Sequence, residues 1–350
     1  MKYVKQIMKQ KLVLGFGLGF FLALGVVLYT RTSDVTISWS QLFAKKKEVV
    51  QTDPVDKIIP TNKSAKAKKA AMAADLATMD GYGLYYDYAN LSLEEVVKTY
   101  MEEFGIESNA IAFSYKNMKT GETFAMNDTQ LMTAGSTYKL PLNMLVVDQV
   151  VKGKLSMDKA YDITEINYEY EGEYQAYRAQ FGDDMTISEM QEYSLVYSEN
   201  TPAYALASLL GGVDEAYKDF GRYGQSKSAV KTIQLKGNKT TSDYYIQVLQ
   251  YLWKNQEKYA DILNYLDQSF PGEYYETYLP DIQIYQKPGY VREALNIDAI
   301  VMEETPYMIA LYTAGLGGAD ENTEEINPEG YNLLAQLTYV VNQWHRVNMN

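Results

Sequence analysis

Residues 134–141 read Ala-Gly-Ser-Thr-Tyr-Lys-Leu-Pro, and the serine and lysine set three apart in this stretch decide how the chain is read. Apolar residues follow at Leu140, Leu142, Met144, Leu145, Val146, Val147 and Val150, a spacing that predicts a buried helix. Positions i and i+3 share one helix face, so the Lys139 amine can reach the Ser136 hydroxyl. An amine desolvated by such a helix can lose its charge near neutral pH and act as the base that activates the serine. Ser-x-x-Lys also occurs at Ser156 to Lys159 and at Ser228 to Lys231. Those copies sit among polar residues, as solvated surface does, whereas Ser136 follows a small-residue turn and heads an apolar run.

Composition narrows the chemistry. The chain has 350 residues and no cysteine, which excludes disulfides, thiol nucleophiles and Cys-ligated zinc or iron–sulfur sites. Its one histidine is His345, and no Gly-x-Ser-x-Gly elbow accompanies it, so a Ser-His-Asp triad fits poorly. Lysine is then the expected base for a nucleophilic serine. Of the 32 Lys and Arg residues 13 precede Leu91, against 7 of the 45 Asp and Glu. From Leu91 onward the net charge is about −19, which repels polyanions and argues against nucleic-acid binding.

The chain opens with Lys2, Lys5, Lys9 and Lys11, and the uncharged run 12–30 that follows is long enough to cross a bilayer. Lysines ahead of the span favour an N-terminus left in the cytoplasm, with the rest of the chain outside. A cleaved signal peptide is the alternative, since Ala23-x-Gly25 resembles a cleavage site. The apolar run continues past it through Tyr29, which favours an uncleaved anchor. Residues 31–90, with Lys45-Lys46-Lys47 and a Lys/Ala-rich stretch, read as an extracytoplasmic linker without a core-forming stripe.

Residues 91–350 read as one globular domain. Ser92 with Glu95 predicts a capping box, and Thr186 with Glu189 predicts another. Residues 110–115 and 122–126 read as a hairpin around Lys119-Thr120-Gly121, a Lys-Thr-Gly that the turn itself explains. Thr201 is expected to cap a helix with Pro202 at its first position, leaving Ser198-Glu199-Asn200 at an interhelical break. Three strands are expected at 282–286, 294–302 and 307–313, with Lys287-Pro288-Gly289 between the first two. A last helix spans about 329–346. The stretch 161–181 carries Tyr168, Tyr170, Tyr174 and Tyr177 among acidic residues, either a solvated loop or a stacking surface.

Ser-x-x-Lys, then Ser-x-Asn, then Lys-x-Gly, in that order and within that element order, resembles the serine β-lactamase and penicillin-binding protein superfamily, class A β-lactamases most closely. The resemblance implies an α/β (α+β) fold: a five-stranded antiparallel sheet packed with the terminal helices, plus a mostly helical subdomain, here preceded by one transmembrane helix. By the same resemblance Ser136 is the acyl-accepting nucleophile, Lys139 its base, and Ser198 a proton relay. Asn200 binds the substrate, Lys287 and Gly289 belong to the Lys-x-Gly strand, and the Ser136 and Tyr290 N–H groups form the oxyanion hole. The expected substrate is a β-lactam or a cell-wall peptide. No cofactor or metal is implied, and the sequence points to no particular protein partner.

Two departures from the family pattern stand out. Pro288 replaces a hydroxyl residue that binds a substrate carboxylate in the family and also removes a backbone donor, so that carboxylate recognition at Lys287 is expected only if Arg292 substitutes. Residues 221–241 contain no acidic residue, the last before them being Asp219, so the glutamate that activates the deacylating water in class A enzymes has no counterpart there. Slow deacylation is expected. A degenerate, non-catalytic envelope binding module on the same fold is the rival expectation.

Overall fold

The computed structural model describes residues 79–81, 83–163, 171–291, 293–317 and 326–349. The expected anchor, most of the linker, Tyr168, Tyr170 and Arg292 lie outside these residues. Among the described residues no helix is long and apolar enough to cross a membrane.

Helix α1 (Leu93–Glu103) begins at Ser92, whose hydroxyl accepts from the Glu95 N–H while the Glu95 carboxylate accepts from the Ser92 N–H. This is the expected capping box, and it satisfies two backbone donors that the first turn leaves open. Strands β1 (Ile111–Asn117) and β2 (Thr123–Met126) pair antiparallel across the Lys119-Thr120-Gly121 turn. Strand β3 (Met132–Thr133) then leads into a 3-10 turn, Gly135–Tyr138, and helix α2 (Lys139–Val151). A helical middle follows: β4 (Ala160–Asp162), α3 (Glu171–Phe181), β5 (Asp184–Thr186), α4 (Ile187–Val196), α5 (Asn200–Leu209) and α6 (Val213–Asp219). The chain closes with β6 (Lys239–Thr240), α7 (Ser242–Lys254), α8 (Ala260–Asp267), β7 (Ile284–Val291), β8 (Ala294–Val301), β9 (Tyr307–Thr313) and α9 (Pro328–Asn348).

The main sheet has five strands in the order β2-β1-β9-β8-β7, every pair antiparallel. Helices cover both faces, so alternate residues of one strand enter two cores. Along β9, Tyr307, Ile309 and Leu311 pack with Val96, Tyr100, Leu337 and Trp344 of the terminal helices. Met308, Ala310 and Tyr312 face the other way, against Leu140 and Leu145 of α2 and Tyr245 and Leu249 of α7. A third cluster, including Val146, Met185, Met190 and Leu206, forms the helical subdomain. Each large side chain so buried stabilises the fold by about 1.5–3 kcal/mol.

Four expectations need correction. The domain begins before Leu91: Met79, Leu84, Tyr86 and Tyr88 are buried in the first core, and Asn348 Nδ2 donates to the Tyr88 carbonyl at 2.6 Å. The linker boundary at residue 90 is therefore too late. Thr201 is not a cap; α5 starts at Asn200 with Glu199 as its N-cap, because the Asn200 amide oxygen is engaged by Lys139. Lys287-Pro288-Gly289 lies inside β7 rather than between strands, and β7 is a sheet edge, where proline is tolerated. Tyr177 is no stacking surface: it is buried against Phe181 and Tyr193.

Asp148, near the C-terminal end of α2, pins the loop after α6 and the turn between α7 and α8. Its carboxylate accepts from Arg222 and Tyr223 at 3.0 Å each, from Tyr259 at 2.8 Å, and from Lys258. Burial opposes its ionisation, but these four donors outweigh burial and hold the carboxyl below the usual range. Asp148→Asn is expected to lose about 3 kcal/mol. That is the low end for breaking a buried ion pair, because Arg222 and Lys258 each keep 31% of their side-chain surface exposed. A depressed carboxyl contributes stability above its ordinary pKa and loses it as pH falls through the lowered value. Wild type and variant should therefore converge on acidification in thermal melts; a constant gap down to the lowest pH of folding would refute the assignment.

Candidate active site

The 3-10 turn sets Ser136, half-buried, at the head of α2, while Lys139 opens that helix with its side chain fully buried. Lys139 Nζ lies 3.1 Å from Ser136 Oγ, 2.8 Å from Asn200 Oδ1 and 2.5 Å from the Ser198 carbonyl. Ser198, at the break between α4 and α5, has φ of 59°. A left-handed serine costs about 1–2 kcal/mol, and here it turns two polar groups on one residue to use. The carbonyl meets Lys139, and Oγ accepts from Lys287 Nζ at 2.7 Å.

Strand β7 closes the other side. Gly135 has φ of 57°, and a Cβ there would fall 2.9 Å from the Gly289 carbonyl carbon and 3.0 Å from the Tyr290 nitrogen. A Cβ on Gly289 would fall 2.6 Å from the Ala134 oxygen. Only glycine fits at either position, and the close approach sets the Tyr290 backbone beside the turn that carries Ser136. Ser136, Lys139, Ser198, Asn200, Lys287, Gly289 and Tyr290 thus come together as the sequence suggests.

Two lysines, both fully buried, share Ser198. The Lys287 pKa is pushed well below the usual range, first by burial and then by the charge of Lys139, with Asp298 acting the other way. Two ammonium groups this close and this dry are costly, which favours a free amine at the site. A neutral amine at Lys139 spends two N–H groups on the Ser198 carbonyl and Asn200 Oδ1. In that form its lone pair can accept the Ser136 hydroxyl proton across the 3.1 Å contact.

A sequence profile of the β-lactamase enzyme family matches residues 92–344. The chain belongs to that family. Among solved structures, a β-lactamase from Chitinophaga pinensis DSM 2588 is similar at 17% identity with a TM-score of 0.57, covering 70% of this chain and 97% of its own. The class A β-lactamase of the last common ancestor of Gram-negative bacteria is also 17% identical, with a TM-score of 0.58 and coverage of 72% and 98%. A point mutant of PBP-A, solved as an acyl-enzyme complex with penicillin-G, is 17% identical, with a TM-score of 0.58 and coverage of 72% and 95%. At these identities the likeness speaks to the fold. A search of curated proteins finds no significant match.

In this member of the β-lactamase family the acids that precede the loop most closely, Glu215 and Asp219, stand apart from Ser136. Glu215 and Asp219 pair with Lys218 and Arg222 and line a groove with Gln149 of α2. Gln149 is ten residues past Lys139, about 15 Å along the helix. Sequence reasoning missed the layer beneath the site. Asn296 of β8 donates to the Thr133 and Ala134 carbonyls at 2.7 and 3.1 Å, and Asp298 of β8 contacts the Tyr312 hydroxyl at 3.0 Å. The available signal was two polar residues inside an apolar strand.

Proposed function

We propose that this family member is a membrane-anchored, extracytoplasmic serine acyl-transfer enzyme acting on a β-lactam or a peptidoglycan-type peptide. The observation that carries the reading is the buried Lys139 amine 3.1 Å from Ser136 Oγ. Ser136 Oγ attacks the carbonyl carbon while its proton passes to Lys139, and the N–H groups of Ser136 and Tyr290 hold the oxyanion. The C–N bond then breaks, and Ser198, in contact with Lys287, delivers a proton to the departing nitrogen. Asn200 orients the substrate amide. The PBP-A complex, an acyl-enzyme with penicillin-G on the same fold, supports this chemistry.

The anchor rests on the uncharged run 12–30 behind four lysines. One experiment addresses site and placement together: a membrane-impermeant fluorescent penicillin applied to intact cells. Wild type should give a labelled band in the membrane fraction, and Ser136→Ala none. Labelling that persists in the variant, or that requires lysis, contradicts the reading. A second reading, a non-catalytic binding module on the same fold, draws on Pro288, which lacks the hydroxyl and N–H expected there. It predicts no label in either protein, in lysates included.

A further inference from the structure

Asp298 stands in the middle of β8, in the run Ala-Leu-Asn-Ile-Asp-Ala-Ile-Val, and is 1% exposed. It is directly opposite Lys287 of β7 on one side and Ala310 of β9 on the other. Its Oδ2 lies 3.0 Å from the Tyr312 hydroxyl, which lies 3.1 Å from Thr137 Oγ1, which in turn donates to the Ala134 carbonyl at 2.9 Å. The chain of hydroxyls runs from the sheet interior to the carbonyl at the base of the turn that carries Ser136. Asp298 Oδ1 is buried with no hydrogen-bond partner among the described residues.

Each hydroxyl has one proton to give. With Thr137 donating to Ala134, the shortest of the three contacts, the Tyr312 proton goes to Thr137, and the proton between Tyr312 and Asp298 comes from the carboxyl. The reverse order, with Tyr312 donating to Asp298, would leave the 3.1 Å contact between Tyr312 and Thr137 without a proton unless Thr137 gave up Ala134. It would also bury a carboxylate oxygen, Oδ1, without a donor, a far greater cost than burying a neutral carbonyl oxygen. Lys287 of β7, Tyr312 of β9, and Tyr244 and Tyr245 of α7 face Asp298, while Lys139 of α2 acts on Lys287. Burial pushes the Asp298 carboxyl up, with Tyr312 and Lys287 opposing.

We infer that Asp298 is a positioning residue held as the neutral acid, whose proton orients Tyr312 and Thr137 and so fixes the Ala134 carbonyl beneath Ser136. A neutral Asp298 also withholds a counter-ion from the two lysines, which keeps a free amine available. Its ionisation reverses the hydroxyl chain and loosens the turn.

The kinetic part of the test rests on acyl transfer at Ser136; the spectroscopic part does not. At neutral pH the infrared spectrum of the full chain should show the C=O band of a buried carboxylic acid that D298N lacks. Acylation of Ser136 by the fluorescent penicillin should fall about 10- to 100-fold in Tyr312→Phe and in Asp298→Ala, the usual scale for a misplaced reacting group. Asp298→Asn, whose amide can donate to Tyr312, should restore most of the rate lost in D298A. No band lost in D298N, a D298N as slow as D298A, or a Y312F acylated at the wild-type rate overturns the inference. If wild type takes no label, the acyl-transfer reading has failed, and the infrared band alone decides the protonation of Asp298.

Discussion

Replacing Lys139 by methionine is expected to lower the rate of Ser136 acylation by about 10²–10⁴, the usual contribution of a positioned general base. Methionine keeps the length and apolar stem of the side chain but cannot accept the Ser136 proton. It also leaves the Ser198 carbonyl and Asn200 Oδ1 without the donor they now share. Part of the loss is therefore reorganisation, and melting separates the two effects. Acylation within threefold of wild type by a well-folded K139M would remove Lys139 from the chemistry.

The same variant has a stability signature of definite sign. Because burial, and then Lys139, lower the Lys287 pKa, unfolding takes up a proton at Lys287 across the interval between its folded and ordinary values. Stability in that interval rises with pH, by about 1.4 kcal/mol per unit for one proton. Removing Lys139 relieves the repulsion on Lys287 and narrows the interval, so K139M should show a smaller total rise. An unchanged total rise would mean that the two amines do not interact.

What was legible in the sequence was what local chemistry specifies. The Ser92 and Thr186 capping boxes are closed within four residues, and both form. Ser136 and Lys139 are three apart, so the helix start alone brings them together. The apolar runs of β8 and β9 announce strands buried on both faces. Other features needed the tertiary structure. Leu84, Tyr86 and Tyr88 carry no periodic signal, and only the core beneath α1 and α9 explains their burial. The start of α5 moved because Asn200 faces Lys139, a partner 61 positions away. Asp298 was illegible as a site residue because the hydroxyls it reaches lie on β9 and in the Ser136 turn, elements that only the sheet brings beneath it.

Deacylation is the second step where a large effect is expected. In the proposed mechanism acylation uses Ser136, Lys139 and backbone donors, whereas hydrolysis of the ester needs a base to activate water. Residues 221–241 contain no acid, and Glu215 and Asp219 are engaged beside the far end of α2. Without an acid in residues 221–241, hydrolysis should be slower by about 10²–10⁴ than in an enzyme whose loop carries one. A chromogenic cephalosporin should then give a burst of one equivalent per protein followed by little turnover.

The most direct test is intact-protein mass spectrometry of pure wild type and S136A, quenched at intervals after mixing with excess penicillin. Wild type is expected to gain the mass of one penicillin, mapped to Ser136 by peptide analysis and persisting after the free drug is removed, while S136A stays unmodified. An adduct on S136A, or rapid consumption of the drug by a wild-type protein that never accumulates an adduct, would contradict this expectation.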